Sequence, residues 1–195
     1  MAKEFFGFFD STEGDIRQYD AAELAQLLSA AVQNGVSSHN GGGLQVTADG
    51  TSMNTTVSEG GAVIGGYVFT LSDDGGAART LTHQTSGSAD RIDRVVVRLD
   101  LNQRNISLAV LEGVPGATPK APGLTRTSQV WELSLAQVLI RASALFVEAA
   151  DITDERGDES VCGYALSVWN NRQALDGRYV LDTTITNAQI NAAIV

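Results

Sequence analysis

Two neighbouring stretches of alternating apolar and polar residues give the clearest pattern in this chain. Within residues 91–100, every second residue from Val95 to Leu99 is apolar. Successive side chains of a strand point to opposite faces, so these residues share one face. Residues 105–111 repeat the alternation, with Ile106, Leu108 and Val110 as the apolar positions. The polar break at 101–104 has the length of a hairpin turn, so the pair is predicted to be an antiparallel hairpin with one buried face.

A different period, that of an amphipathic helix, follows Asp20. Asp20 and Glu23 have the spacing of a capping box at the start of a helix. Asn34-Gly35 is a typical helix end, which predicts a helix over about residues 21–34. Its apolar stripe consists of Leu24, Leu27, Leu28, Ala31 and Val32.

Shorter extended runs separated by glycine-rich turns fill most of the remaining chain. A bend or bulge is predicted at Gly65-Gly66, between two apolar runs. Residues 112–124 contain all three prolines and predict an extended connector. The other predicted strands are 44–48, 53–57, two runs within 62–71, 79–84 and 131–140, and the segments 146–150 and 151–156 close the domain.

These elements predict a mainly β protein of sandwich-like antiparallel sheets with one N-terminal amphipathic helix. Ile190 and Ile194, spaced four residues apart, predict a short C-terminal helix beginning near Thr186. The expected organisation is one β-rich domain over residues 1–165 and a C-terminal extension over 166–195, which we expect to contact another subunit or a partner.

Composition narrows the classes of partner. The chain carries 13 basic and 23 acidic residues, a formal net charge of −10. This charge disfavours nucleic acid and anionic membranes as partners, since both attract clustered positive charge. No apolar run approaches the roughly 18 residues of a membrane span, and the N-terminus lacks a secretory pattern, so we expect a soluble product made in the cytoplasm.

Neither histidine nor the single cysteine lies in a catalytic or metal-binding motif. We expect His39 in a surface loop, His83 in an edge strand, and Cys162 as a small buried residue. Four acids lack the spacing of a calcium loop: Asp151, Asp154, Asp158 and Glu159. The sequence thus predicts no catalytic residue, metal or cofactor, although two carboxylates of a glycan hydrolase could be paired in space alone.

Exposed apolar and charged groups are the candidate interface residues. Large apolar side chains near a terminus are costly to leave in water, which favours docking on a neighbouring subunit. Arg91, Arg94 and Arg98 lie among acids on one strand, either on a solvated face of ion pairs or at a subunit contact. The candidate apolar interface residues are Phe5, Phe6, Phe8, Phe9, Trp169, Ile190 and Ile194.

The aromatic residues leave a second class of function open. Tyr67, Trp131 or Trp169 could stack on a sugar ring, as in a carbohydrate-binding module. In that case the partner would be a cell-surface glycan.

The order of several strings along the chain resembles one family of structural proteins. These strings are 90–100, 104–110 and 115–126, together with Phe8–Ser11, Asn34–Val36, Leu44–Ala48, Gly65–Tyr67, Trp131–Leu133, Ile152–Arg156 and Cys162-Gly163. Over about residues 5–165 the chain looks like tail proteins of siphophages and related prophages, specifically the N-terminal attachment domain of upper baseplate proteins.

The resemblance implies a non-enzymatic virion component of the baseplate or tail tip, assembled in the host cytoplasm as a trimer or ring. In the family, a C-terminal extension carries the receptor-binding part, whereas this chain ends about 30 residues after Cys162-Gly163. The expected role is therefore an adaptor that holds other tail or receptor-binding proteins. A head-decorating or collar protein built from the same domain is the alternative within this class.

Overall fold

The computed structural model describes residues 10–16, 18–37, 43–72 and 79–167. Within these residues the protein is mainly β, with three antiparallel sheets and one α-helix, α1 (Ala21–Ala31). A 3-10 turn covers Ala149–Asp151. The strands are β1 (Gly35–Val36), β2 (Val46–Thr47), β3 (Asn54–Val57), β4 (Gly60–Ile64), β5 (Tyr67–Leu71), β6 (Arg79–Thr82), β7 (Arg91–Asp100), β8 (Asn105–Leu111), β9 (Val130–Ile140) and β10 (Ile152–Asp154).

The central sheet has the strand order β10-β9-β7-β8. The β7–β8 register runs from Arg94 opposite Leu111 to Asp100 opposite Asn105, which confirms the predicted hairpin. On its other side β7 pairs with β9, from Arg91 opposite Ile140 to Asp100 opposite Val130. The strand predicted over 131–140 is therefore also confirmed.

The prediction that this hairpin buries only one face is wrong. Val95 and Val97 are fully buried as expected, but Val96 on the opposite face is fully buried too. On that second face, the side chain of Glu155 contacts β7 and β9. The central sheet is thus covered on both faces around Val96.

A β-bulge in β9 adds one residue to the buried face. Val95 pairs with Ala136 and Val96 with Ser134, so Leu135 has no partner in β7. Leu135 and Ala136 are both buried and belong to the hydrophobic core. Leu135 also accepts a hydrogen bond through its carbonyl from the amide of Glu155, which attaches the end of β10 to the bulge.

The two smaller sheets have the orders β1-β4-β5 and β2-β3-β6, which confirms β6 as an edge strand. The β4–β5 hairpin turns at Gly65-Gly66, where φ is 58° and 79°. These values are typical of a two-residue type I′ turn and confirm the predicted bend. The hydrophobic core contains residues of all three sheets.

The start of α1 is as predicted. Asp20 accepts a hydrogen bond from the Glu23 amide at 2.9 Å, and the Asp20 amide donates to the Glu23 carboxylate at 2.8 Å. Both bonds satisfy amides that the first turn of a helix leaves unpaired, so this capping box fixes the first residue of the helix.

The end of α1 is not as predicted, because the helix stops at Ala31 and not at Asn34. Val32 is extended and forms a bridge with Ser167. Asn34 accepts a hydrogen bond from the Gly65 amide at 2.7 Å. At Gly35, where φ is +153°, a Cβ would lie 2.4 Å from the carbonyl carbon of Tyr164. Long-range contacts thus replace the predicted C-cap.

The apolar stripe of α1 is only partly covered. Ala25 is buried, and its carbonyl comes so close to Gly66 that a Cβ there would lie 1.7 Å from it. Leu24 and Leu27, in contrast, are 50% and 45% exposed. Among the described residues, no helix is long and apolar enough to cross a membrane.

The predicted connector over 112–124 has no regular secondary structure. Several predictions fall on residues that the structure does not describe. These are the C-terminal helix and the positions of Phe5, Phe6, Phe8, Phe9, His39, Trp169, Ile190 and Ile194.

Candidate functional site

Four buried polar side chains, hydrogen-bonded one to the next, link the β2-β3-β6 sheet to the central sheet. Thr55 lies in β3, His83 follows β6 directly, and Asp93 and Arg91 lie in β7. Thr55 Oγ1 is 3.1 Å from His83 Nε2, and His83 Nδ1 is 2.9 Å from Asp93 Oδ2. Arg91 Nε donates to Asp93 Oδ1 at 2.7 Å. This series of hydrogen bonds joins residues of the two sheets through their side chains.

Asp93 is the acceptor at the centre of this group. Burial alone would raise its pKa, but hydrogen bonds from His83, Arg91 and the Gly113 amide outweigh that effect and lower it. The same contact with Asp93 raises the pKa of Arg91. Asp93 is thus a carboxylate at neutral pH, and its charge is balanced inside the protein.

The order Thr55–His83–Asp93 matches the groups of a hydrolase triad, in which a base activates a hydroxyl nucleophile. Here the hydroxyl is out of reach, because Thr55 is 0% and His83 2% exposed. A substrate could contact Thr55 only after the two sheets had separated. The arrangement supports a structural link between sheets.

A second polar cluster lies on the other face of the central sheet, around Glu155. Gln137 Nε2 donates to Glu155 Oε1 at 2.5 Å, and the Ser134 hydroxyl donates to Glu155 Oε2. Arg94 forms an ion pair with the same carboxylate at 3.4 Å, but its Nε atom is buried without a hydrogen-bond partner. This cluster is therefore less completely satisfied than the one around Asp93.

Glu132 forms a third buried contact, next to the Glu155 cluster. Its side chain is fully buried and accepts hydrogen bonds from Arg98 Nε at 2.7 Å and from the Thr125 amide at 2.6 Å. The carboxylate thereby holds the end of the proline-containing connector against β9.

These contacts correct the prediction of a solvated charged face on β7. Arg91 and Arg94 are buried and bonded to acids of their own chain, which leaves them little surface for another subunit. The side chain of Arg98 is 36% exposed, so its predicted interface role stays a prediction. His83 follows the edge strand β6, but it is buried.

The aromatic residues proposed for sugar stacking lie in different settings. Trp131 is half-buried, its Nε1 atom is buried without a partner among the described residues, and the guanidinium of Arg126 lies 5.5 Å from its ring centroid. A shallow cleft brings Trp131 together with Tyr164, Gln33 and Glu159. Tyr67 belongs to β5, outside this cleft, and packs against the core.

The acids near β10 are paired with arginines. Asp154 pairs with Arg156 and Asp151 with Arg141, each at 2.6 Å. In the described ranges, no three residues of the types His, Cys, Asp and Glu are grouped so as to hold a metal ion. Cys162 is buried as predicted, and burial raises the pKa of its thiol to about 12.

Comparisons of the chain with protein-family models, with curated proteins and with solved structures found no match. The contacts above and the resemblance of residues 5–165 are therefore the grounds for a functional proposal.

Proposed function

We propose that this chain is a non-enzymatic structural protein of a tailed-bacteriophage virion, an adaptor of the baseplate or tail tip. It assembles with itself, as a trimer or ring, and holds other tail or receptor-binding proteins. The phage part of the proposal is supported by the resemblance over residues 5–165. The structural part is supported by the contrast between an interior in which polar groups are bonded to one another and a surface that carries large apolar side chains.

Part of the exposed apolar surface lies near the two ends of the described chain, and the rest, which includes Val68, Val114, Leu145 and Phe146, lies between them. Ile16 and Tyr19 precede α1 and are exposed, as are Leu24 and Leu27 on the helix. At the other end, the Leu166 carbonyl accepts a hydrogen bond from the Gln33 amide at 3.1 Å, just after α1. Ser167, the last described residue, forms a bridge with Val32, so the described chain ends next to the end of this helix. Burying such apolar surface between copies would stabilise an assembly.

The sandwich-like packing of the sheets and the C-terminal helix belong to the same proposal. Core residues from all three sheets support a sandwich, since side chains on the inner faces of packed sheets form one common core. The C-terminal helix rests on the spacing of Ile190 and Ile194.

Two experiments test the proposal. Mass spectrometry of purified phage particles from a culture that carries the gene should detect this chain in fixed copy number, and its position in the particle separates tail from head or collar. Removal of residues 1–9 and 173–195 should leave the domain folded but lower its assembly state. Particles without the chain would contradict the virion role, and an unchanged assembly state would contradict the role of the terminal segments.

A carbohydrate-binding module is the second candidate, favoured by the cleft that joins Trp131 and Tyr164 to polar side chains. Arg126 already covers one region of the Trp131 ring, so a sugar would have to displace it or stack elsewhere. Binding on a glycan array that is lost in Trp131→Ala but kept in Tyr67→Phe would favour this function. Absence of glycan binding by the full chain would argue against it.

A further inference from the structure

β8 is an open edge of the central sheet. It pairs with β7 and with no other described strand. No other described segment forms a backbone hydrogen bond with residues 105–111. An edge strand directs every second set of N–H and C=O groups outward, where another strand can bind them.

The sequence of β8 lacks the features that usually protect an exposed edge. Residues 105–111 contain no charge, no proline and no glycine. Proteins commonly place lysine, proline or a bulge on an edge strand to prevent pairing with another chain. Six of the seven residues are half-buried, and Ile106, Leu108 and Val110 contact the core while keeping part of their surface in water. The edge is thus suited to accept a further strand.

We propose that β8 pairs antiparallel with β8 of a second copy, across a twofold axis normal to the sheet at Leu108. Ile106 then lies opposite Val110, and Ser107 lies opposite Ala109. The apolar residues of both copies share one face, so two four-stranded sheets join into one of eight strands. A twofold contact of this kind is closed, because each copy offers the same surface. This inference goes beyond the proposed function and does not depend on it.

The residues that flank β8 specify this register. With Leu108 on the axis, Arg104 of each copy lies opposite Glu112 of the other. Arg104 is exposed, and Glu112 keeps 55% of its side chain exposed while it contacts Arg91 at 3.1 Å. A shift by two residues places Arg104 opposite Val110 or Val114, and both charge pairs are lost. Charge complementarity therefore favours a second copy in this alignment as the occupant of the edge.

Disulfide trapping in the full chain tests the register. Directly opposed residues of antiparallel strands have Cα atoms about 4.5–5.5 Å apart, within the range of a disulfide. Leu108→Cys should therefore form a covalent dimer under mild oxidation. The matched control is Ser107→Cys, whose partner is Ala109, so it should crosslink with Ala109→Cys in a mixture and far less with itself. Native Cys162 is buried and contributes little background.

Charge reversal at the two flanking residues is a second test. It can still contradict the proposal if Leu108→Cys folds poorly. Arg104→Glu should raise the dimer dissociation constant by about threefold to tenfold, because repulsion replaces two exposed ion pairs. Glu112→Arg should do the same, but it also removes the contact of Glu112 with Arg91 at 3.1 Å, so its dissociation constant is compared only under conditions where urea unfolding shows that the variant is folded. The double variant should restore most of the affinity.

Three results together would support the proposal. Leu108→Cys is trapped as a covalent dimer, the mixture of Ser107→Cys and Ala109→Cys is trapped too, and the double charge variant regains most of the affinity. Equal trapping of Leu108→Cys and Ser107→Cys, or no trapping of either folded variant, would overturn it. An oligomer that persists without trapping at 108 would contradict the β8 contact and leave the proposed virion role intact.

Discussion

β7 and β8 are adjacent strands of one hairpin, but they are used in opposite ways. β7 carries five charged residues and lies between two strands, whereas β8 carries none and pairs on one side only among the described strands. Three of the β7 charges, Arg91, Asp93 and Arg94, are buried. The charged strand is therefore the buried one. Its central position in the sheet, and not its charge, decides how far its side chains are buried.

The difference follows from what each strand must satisfy. A buried charge is tolerated only with a partner, and Asp93 receives hydrogen bonds from two side chains and one amide. An uncharged edge strand has no such demand, but its outward backbone groups remain available. We therefore assign β7 to stability and β8 to assembly.

The largest predicted effect is that of Asp93→Asn. It leaves buried Arg91 with only the exposed carboxylate of Glu112 as an acidic partner among the described residues, which should cost about 3 kcal/mol. Urea unfolding of the full chain measures this change in free energy.

The matched control is Asp100→Asn on the same strand. Asp100 accepts hydrogen bonds only from the Asn102 and Gln103 amides of the turn among the described contacts, and an amide oxygen can accept the same bonds. Its cost should stay within about 1 kcal/mol. Equal losses for the two variants would contradict the special role of Asp93.

A smaller effect is expected from acid, since protonation removes the charge of Asp93 but keeps the side chain. Its folded pKa lies below the unfolded value of about 3.9, so its contribution is complete above that value and is lost as pH falls through the folded pKa. The difference in unfolding free energy between the wild type and Asp93→Asn should shrink between pH 6 and about pH 2. A difference that stays constant over this range would contradict the assignment.

Glu132→Gln should cost about 1–3 kcal/mol, because the buried carboxylate accepts from both Arg98 and the Thr125 amide, and the amide group brings a donor to one of them. Urea unfolding again gives the value. Glu148→Gln, an exposed change near β10, is the comparison and should have little effect. Similar small losses for both would show that the Glu132 contacts contribute little.

The smallest effect on stability is predicted for Ser107→Lys on the β8 edge. Its unfolding free energy should fall by less than about 1 kcal/mol if measured where the protein is monomeric, because the lysine lies opposite Arg98 of β7 and like charges across a ladder repel. Its self-association should nevertheless be lost, since lysine on an edge strand disfavours pairing with another chain. A variant that unfolds more easily but associates normally would reverse the roles assigned to the two strands.

Local sequence patterns predicted most of the helix and strands. The features that they did not predict depend on contacts between residues far apart in the sequence. The hairpin, β9, the turn at Gly65-Gly66 and the Asp20 cap depend on neighbouring residues, and all were predicted. The end of α1 depends on the approach of Gly35 to Tyr164, far apart in sequence.

The buried polar chain was missed for a similar reason, because Thr55, His83 and Asp93 come from three separate stretches of the chain. The sequence did contain one indication of this cluster. Arg91 and Asp93 lie an even number of residues from Val95, so their side chains point to the same buried face of the strand. Two charges on a buried face require partners. The open edge of β8 could not be predicted, since strand order depends on tertiary pairing.

Light scattering of the full chain across a concentration series, with Ser107→Lys beside the wild type, tests the β8 assignment most directly. The β8 contact joins assemblies in pairs, so a trimer held by other contacts would become a hexamer and a single chain would become a dimer. We therefore predict that the wild-type mass is an even multiple of the 20.5 kDa chain and that Ser107→Lys halves it. A wild type that remains at one chain mass, or a variant with unchanged mass at every concentration, would contradict the account.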